Sequence, residues 1–176
     1  IKDKQFPLLV KIIDACNDLS VQVHPNDEYA DLHENSLGKT ECWYVLDCKE
    51  DTKMVMGHHA KTKEELVKAI ENDDYDQLLN KFDIKKGDFF YIPSGTIHAI
   101  CKGSLIYEAQ QSSDITYRVY DYHRKGKDGN ERQLHVKQSI DVTTVPYKPY
   151  DLAKQVEETI ENGTRKELVS SNSVSY

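Results

Sequence analysis

The stretch GDFFYIPSGTIHAI, residues 87–100, leaves the backbone few paths. Gly87-Asp88 reads as a turn into a strand of aromatic residues. Pro93-Ser94-Gly95 reads as a second turn, and His98 lies in the returning strand. Gly95 tolerates the positive φ that a tight strand-to-strand corner demands. Around this corner, further segments read as short strands: Leu8–Ala15, Leu19–His24, Glu41–Asp47, Lys53–Gly57, Phe89–Ile92, Thr96–Cys101, Leu105–Gln110 and Thr116–Tyr122. Each is rich in Val, Ile, Tyr or Phe and is bounded by Gly, Pro, Asn, Asp or Lys. Many short strands with turns between them predict an antiparallel sandwich or barrel.

Helical signals interrupt the strands. Thr62 followed by Glu65 is a capping-box pattern, and Leu66, Ala69 and Ile70 then share a helical face. A second short helix is expected over residues 74–82 and a third around Leu134–Asp141. Tyr147–Gly163 is charged and weakly patterned, and reads as linker plus a short surface helix. Residues 1–146 are therefore expected to form the core, with a helical insert near 62–82. Residues 147–176 are expected to be a linker and the start of a further β-rich region. Neither Ile1 nor the closing ELVSSNSVSY reads as a natural terminus, so a piece of a longer protein is expected.

The 176 residues suit one compact domain, and the net charge of −7 argues against nucleic acid or an anionic membrane as the partner. No apolar run has the length of a membrane span. Cys16, Cys42, Cys48 and Cys101 form no C-x-x-C pair and read as reduced thiols, with the cytoplasm as the expected compartment.

Three segments could carry chemistry. In LSVQVHP, Gln22 and His24 point to one side of a strand and Val21 and Val23 to the other. Alone, His24 reads as readily as a solvent-facing or satisfied core residue. In GKTECWYVLD, Lys39, Glu41, Trp43 and Val45 share a face. A carboxylate buried there needs a metal, a salt bridge or exposure at the strand mouth. In the corner segment, His98 completes the spacing Gly-x5-Pro-x-Gly-x2-His, which matches the second motif of the cupin superfamily. Two imidazoles, a carboxylate and an amide oxygen would suit a divalent first-row metal with an open position. His58-His59 reads as a surface pair before the insert, and His33, His123 and His135 as loop residues.

Taken together, LSVQVHPNDEYA, GKTECWYVLD, YIPSGTIHAI and EAQQSSDITYRVYDYHR resemble the type I-like mannose-6-phosphate isomerases, in particular their short bacterial form. The resemblance runs from about Phe6 to about Val142. It implies a mainly β fold, a cupin-type (jelly-roll) antiparallel β-barrel holding one Zn²⁺ through Gln22, His24, Glu41 and His98. It also implies Arg118, Lys39 and Glu108 as catalytic residues, and a sugar phosphate as the small-molecule partner. Gln22 stands where the usual first cupin motif has His, which is this family's own variation; Lys102 replaces the Asn that ends the usual second motif. TYRVYD alternates as a strand, so Thr116, Arg118 and Tyr120 are expected on one face. An outer face, with Arg118 paired to Asp114 or Asp121, is the competing placement. His24, Glu41 and His98 also match a non-haem Fe(II) oxygenase, and a non-catalytic sugar-binding cupin is a further reading.

Overall fold

The computed structural model describes residues 6–151 and 156–169. All eight expected strands are present: β1 (Leu8–Asp14), β2 (Val21–Val23), β3 (Glu41–Cys48), β4 (Lys53–His58), β6 (Phe89–Ile92), β7 (His98–Ile100), β8 (Ser104–Gln111) and β9 (Tyr117–Tyr120). Between β4 and β6 lie α2 (Lys63–Glu71), α3 (Tyr75–Leu78) and a further strand, β5 (Leu79–Asp83). A helix α1 (Asp27–Glu34) follows β2, α4 (Val136–Val142) follows β9, and β10 (Val156–Ile160) pairs with β11 (Gly163–Glu167) as a hairpin.

The strands form two antiparallel sheets, ordered β1-β8-β3-β6 and β5-β4-β7-β2-β9. The fold is mainly β, of the jelly-roll kind expected. Period-two alternation sets what each sheet buries. Trp43, Val45, Ile92 and Ile106 from the first sheet meet Met54, Met56 and Ile100 from the second. On the opposite face of the second sheet, Val21, Val23, Val55, Ala99 and Val119 pack under Leu66, Ile70 and Leu78 of the helices. Fully burying each Val, Leu, Ile or Met among them stabilises the fold by about 1.5–3 kcal/mol.

Thr62 caps α2 as its spacing predicts, Oγ1 accepting from the Glu65 amide at 3.2 Å. Other expectations are corrected. The helix expected over residues 74–82 stops at Leu78, because Leu79–Asp83 pairs with β4 and the ladder outweighs local helix preference. His33, read as a loop residue, lies in α1, which is capped by Asn26 Oδ1 at 2.9 Å from the Tyr29 amide. The surface helix expected within 147–163 is replaced at its C-terminal end by strand β10, while residues 152–155 lie outside those described. His58 is buried, with Nε2 3.0 Å from the Thr144 carbonyl, so it is not a surface residue; His59 is exposed.

Candidate metal centre and active site

The interior end of the barrel is built from facing register positions. Gln22 on β2 lies opposite His98 on β7 and, on its other side, opposite Arg118 on β9. Directly opposed residues share a face, so these three side chains lie on the side turned away from the helices. Val21 and Val23 take the helix-covered side. Glu41 lies opposite Ile92 and Gln110, at the head of the buried series Glu41, Trp43, Val45. His24 follows β2 directly, and its carbonyl accepts the Gly95 amide at 2.8 Å, which ties the Pro93–Gly95 corner to the ligand strand. Gly95 has φ +83°, and an added Cβ would fall 2.5 Å from Thr144 Oγ1 and 2.9 Å from the Val142 carbonyl oxygen. Only glycine fits that corner.

His24, Glu41 and His98 are each at most 2 % exposed. His24 Nδ1 lies 2.9 Å from the Ile115 carbonyl oxygen and His98 Nδ1 2.8 Å from that of Thr96. A carbonyl only accepts, so each Nδ1 carries a hydrogen, and in the neutral ring each Nε2 then presents a lone pair. Those lone pairs point at the Glu41 carboxylate: His98 Nε2 lies 3.1 Å from Oε1 and His24 Nε2 3.6 Å from Oε2. Both Nε2 atoms and both carboxylate oxygens are buried without a hydrogen-bond partner. The donor atoms of the three residues lie within 4.8 Å of one another. Acceptors facing acceptors in a buried site call for a cation between them, so the residues fit a divalent metal.

Electrostatics agree with that fit. Burial pushes the His24 pKa well below its usual value, against the pull of Glu41, so the imidazole stays neutral and able to ligate. Burial would raise the Glu41 pKa, but His98, His24 and Lys39 outweigh it and hold the carboxyl below the usual range. Lys39 is itself buried, with Nζ 3.4 Å from Glu41 Oε2.

Glu108, also buried, shares the interior with this group. Its Oε1 accepts from Lys11 Nζ at 3.0 Å and its Oε2 from Trp43 Nε1 at 2.9 Å. The Trp43 ring in turn meets the His98 ring edge-on, centroids 5.2 Å apart. Lys11, which sequence reasoning passed over, also donates to Gln110 Oε1 at 2.5 Å. The available signal was a lysine at an alternate position within the otherwise apolar run LLVKII.

Arg118 is half-buried and does not pair with Asp121, which holds Arg124 and Arg132 instead. Its Nη1 donates to the Gln133 carbonyl at 2.8 Å, and its Nε is buried without a partner. Burial, then the nearby charge of Arg132, lowers the guanidinium pKa from its ordinary value. Tyr120 does not share Arg118's face as alternation predicts. A register shift between Val21 and Gln22 leaves Val119 as an extra residue. Tyr120 therefore turns to the helix side, where it stacks on Tyr75 with ring centroids 4.0 Å apart.

The mannose-6-phosphate isomerase ManA of Bacillus subtilis is 59 % identical over 150 residues, which cover 85 % of this chain and 48 % of ManA. The chain belongs to the type I mannose-6-phosphate isomerase family. The sequence model of the phosphomannose isomerase type I catalytic domain matches residues 1–42. The mannose-6-phosphate isomerase of Streptococcus mutans is 58 % identical over 144 residues, 82 % of this chain and 46 % of that protein. The crystal structure of the Bacillus subtilis mannose 6-phosphate isomerase superposes with a TM-score of 0.92 at 45 % identity. That match covers 98 % of this chain and 55 % of the solved one. The chain thus spans about half the length of the curated relatives it matches.

Proposed function

We propose that this chain is the catalytic core of a zinc-dependent isomerase that interconverts mannose 6-phosphate and fructose 6-phosphate. The observation that carries the reading is the convergence of His24 Nε2, His98 Nε2 and the Glu41 carboxylate, all buried and without a hydrogen-bond partner. Gln22, in register beside His98, would complete the ligand set. Two imidazoles, a carboxylate and an amide oxygen, with no thiolate among them, suit Zn²⁺. Zinc bound there would supply Lewis-acid polarisation of a substrate oxygen.

The chain's own residues would do the rest. Aldose–ketose exchange moves a proton between C2 and C1 through an enediol, so a base must take the C2 proton and return it to C1. Lys39 and Glu108, both buried, are the candidates for that base. Glu108 already accepts from Lys11 and Trp43, whereas Lys39 Nζ has its ion pair with Glu41. Arg118, with its Nε unpartnered and its strand next to that of Gln22, would orient the sugar phosphate and stabilise the oxyanion. In this reading residues 1–146 are the catalytic core, and 147–176 a linker and the start of a further β-rich region. No helix among the described residues is long and apolar enough to cross a membrane.

The gene product should convert mannose 6-phosphate to fructose 6-phosphate without nicotinamide or oxygen. Chelation should stop turnover and zinc should restore it. Oxygen consumption that depends on Fe(II), with no isomerisation, would assign the same three residues to an oxygenase instead. Full turnover in a verified metal-free preparation would remove the metal from the chemistry.

A further inference from the structure

Strand β9 lies at the edge of its sheet, and the segment that borders it beyond Arg118 is not a strand but the end of a loop, residues 133–135. Three hydrogen bonds join the two. The His135 amide donates to the Arg118 carbonyl at 2.8 Å. The Arg118 amide donates to His135 Nδ1 at 3.1 Å, and Arg118 Nη1 donates to the Gln133 carbonyl at 2.8 Å. β2 fixes the register of β9 on its inner side, but the outer side meets only this loop, so the place of the Gln133 carbonyl depends on what holds the loop.

Asp121 does so from one residue past β9. It is 4 % exposed and grips Arg132 with both oxygens, Nε to Oδ2 and Nη2 to Oδ1, each at 2.6 Å. This is the fork-to-fork geometry that gives an arginine pair directional strength. Arg124 closes on the same carboxylate and also donates to the Asp18 carbonyl. Arg132 is adjacent to Gln133, so the fork places the carbonyl on which the Arg118 guanidinium rests.

We propose that the Asp121–Arg132 pair is a positioning device that holds the Arg118 guanidinium at the site through the Gln133 carbonyl. The proposal rests on the reading of Arg118 as an active-site group. Neither Asp121 nor Arg132 need touch substrate.

A double-mutant cycle on kcat in the gene product tests it. Arg132 is half-exposed and its loss leaves Asp121 paired with Arg124, so Arg132→Gln should fold and retain stoichiometric zinc. A misplaced catalytic group can cost about 10²-fold in rate, so Arg132→Gln should lower kcat by about 10- to 100-fold. Arg132→Lys should behave alike, since a point charge cannot make the fork. In the Arg118→Ala background, itself lowered about 10²–10³-fold, Arg132→Gln should change kcat less than about twofold. A structural role independent of Arg118 would instead multiply the two losses and overturn the proposal. Wild-type kcat in Arg132→Gln, recovery by Arg132→Lys, or loss of zinc would overturn it too, and each leaves the isomerase reading standing. A silent Arg118→Ala would overturn the functional reading of Arg118, and the positioning role with it.

Discussion

Gly38 offers a sharp test of how the candidate metal centre is held together. It lies between α1 and Glu41, and its amide donates to Asp27 Oδ1 at 2.8 Å while the next residue, Lys39, donates its amide to the Pro25 carbonyl at 3.0 Å. The chain leaving His24 and the chain arriving at Glu41 are thus stitched backbone to backbone. A Cβ on Gly38 would fall 2.4 Å from the Asn26 carbonyl carbon, 2.5 Å from the Asp27 nitrogen and 2.8 Å from the Pro25 oxygen. All three are main-chain atoms and cannot rotate away. Ordinary contact begins near 3.4 Å, so the two segments must part by about 1 Å in Gly38→Ala. Overpacking of that kind costs about 1–3 kcal/mol. The displacement falls between His24 and Glu41, whereas a metal tolerates changes in ligand distance of only about 0.2 Å. Zinc affinity should drop about 10- to 100-fold, the usual cost of disturbing groups that orient ligands. The assay is competition for zinc against a chromophoric chelator, with circular dichroism to establish that the variant is folded. Leu37→Ala is the control, because the Leu37 side chain is 43 % exposed and its backbone carbonyl, which accepts from Ser113, is kept. A folded Gly38→Ala protein with wild-type zinc affinity would refute the argument.

Other outcomes follow from the same structure. His98→Ala should abolish tight zinc binding, whereas stoichiometric metal in that variant would remove His98 from the site. Because burial holds the His24 pKa well below 6.5, protons should compete poorly with zinc for that ligand near neutrality, and the loss of affinity on acidification should extend below the free imidazole range; a fall already complete by neutral pH would contradict this. His58 is likewise held below 6.5, first by burial. The unfolded chain then binds the extra proton, so this contribution is present above the unfolded value and is lost as pH falls from there towards the folded one. Urea midpoints measured across that range should slope less in His58→Gln, whose amide can still donate to the Thr144 carbonyl; an unchanged slope would exclude His58. Thr62→Ala should cost about 1 kcal/mol by removing the α2 cap, and an unshifted urea midpoint would show that the cap contributes nothing.

Local signals carried much of the fold. Turn residues and β-branched or aromatic runs marked eight strands, since those preferences act within a few residues, and Thr62 with Glu65 marked the start of α2 for the same reason. The family resemblance singled out Gln22, His24, Glu41 and His98, and period-two alternation put Glu41 on one face with Trp43 and Val45, the face that the structure buries. What pairing decided was not legible. Leu79–Asp83 is a strand only because β4 lies beside it, and Tyr120 changes face only because one residue of β9 is left over against β2. Lys11 reaches Glu108 because β1 and β8 are neighbours 97 residues apart in sequence. Arg118 meets Gln133 and not Asp121 because two other arginines already occupy that carboxylate. The amino-acid sequence by itself determined where the chain extends, turns and coils, because those choices are settled by neighbours along the backbone. Which lone pairs face one another across the barrel was decided only by the tertiary structure, because register and sheet order depend on contacts that no local window contains.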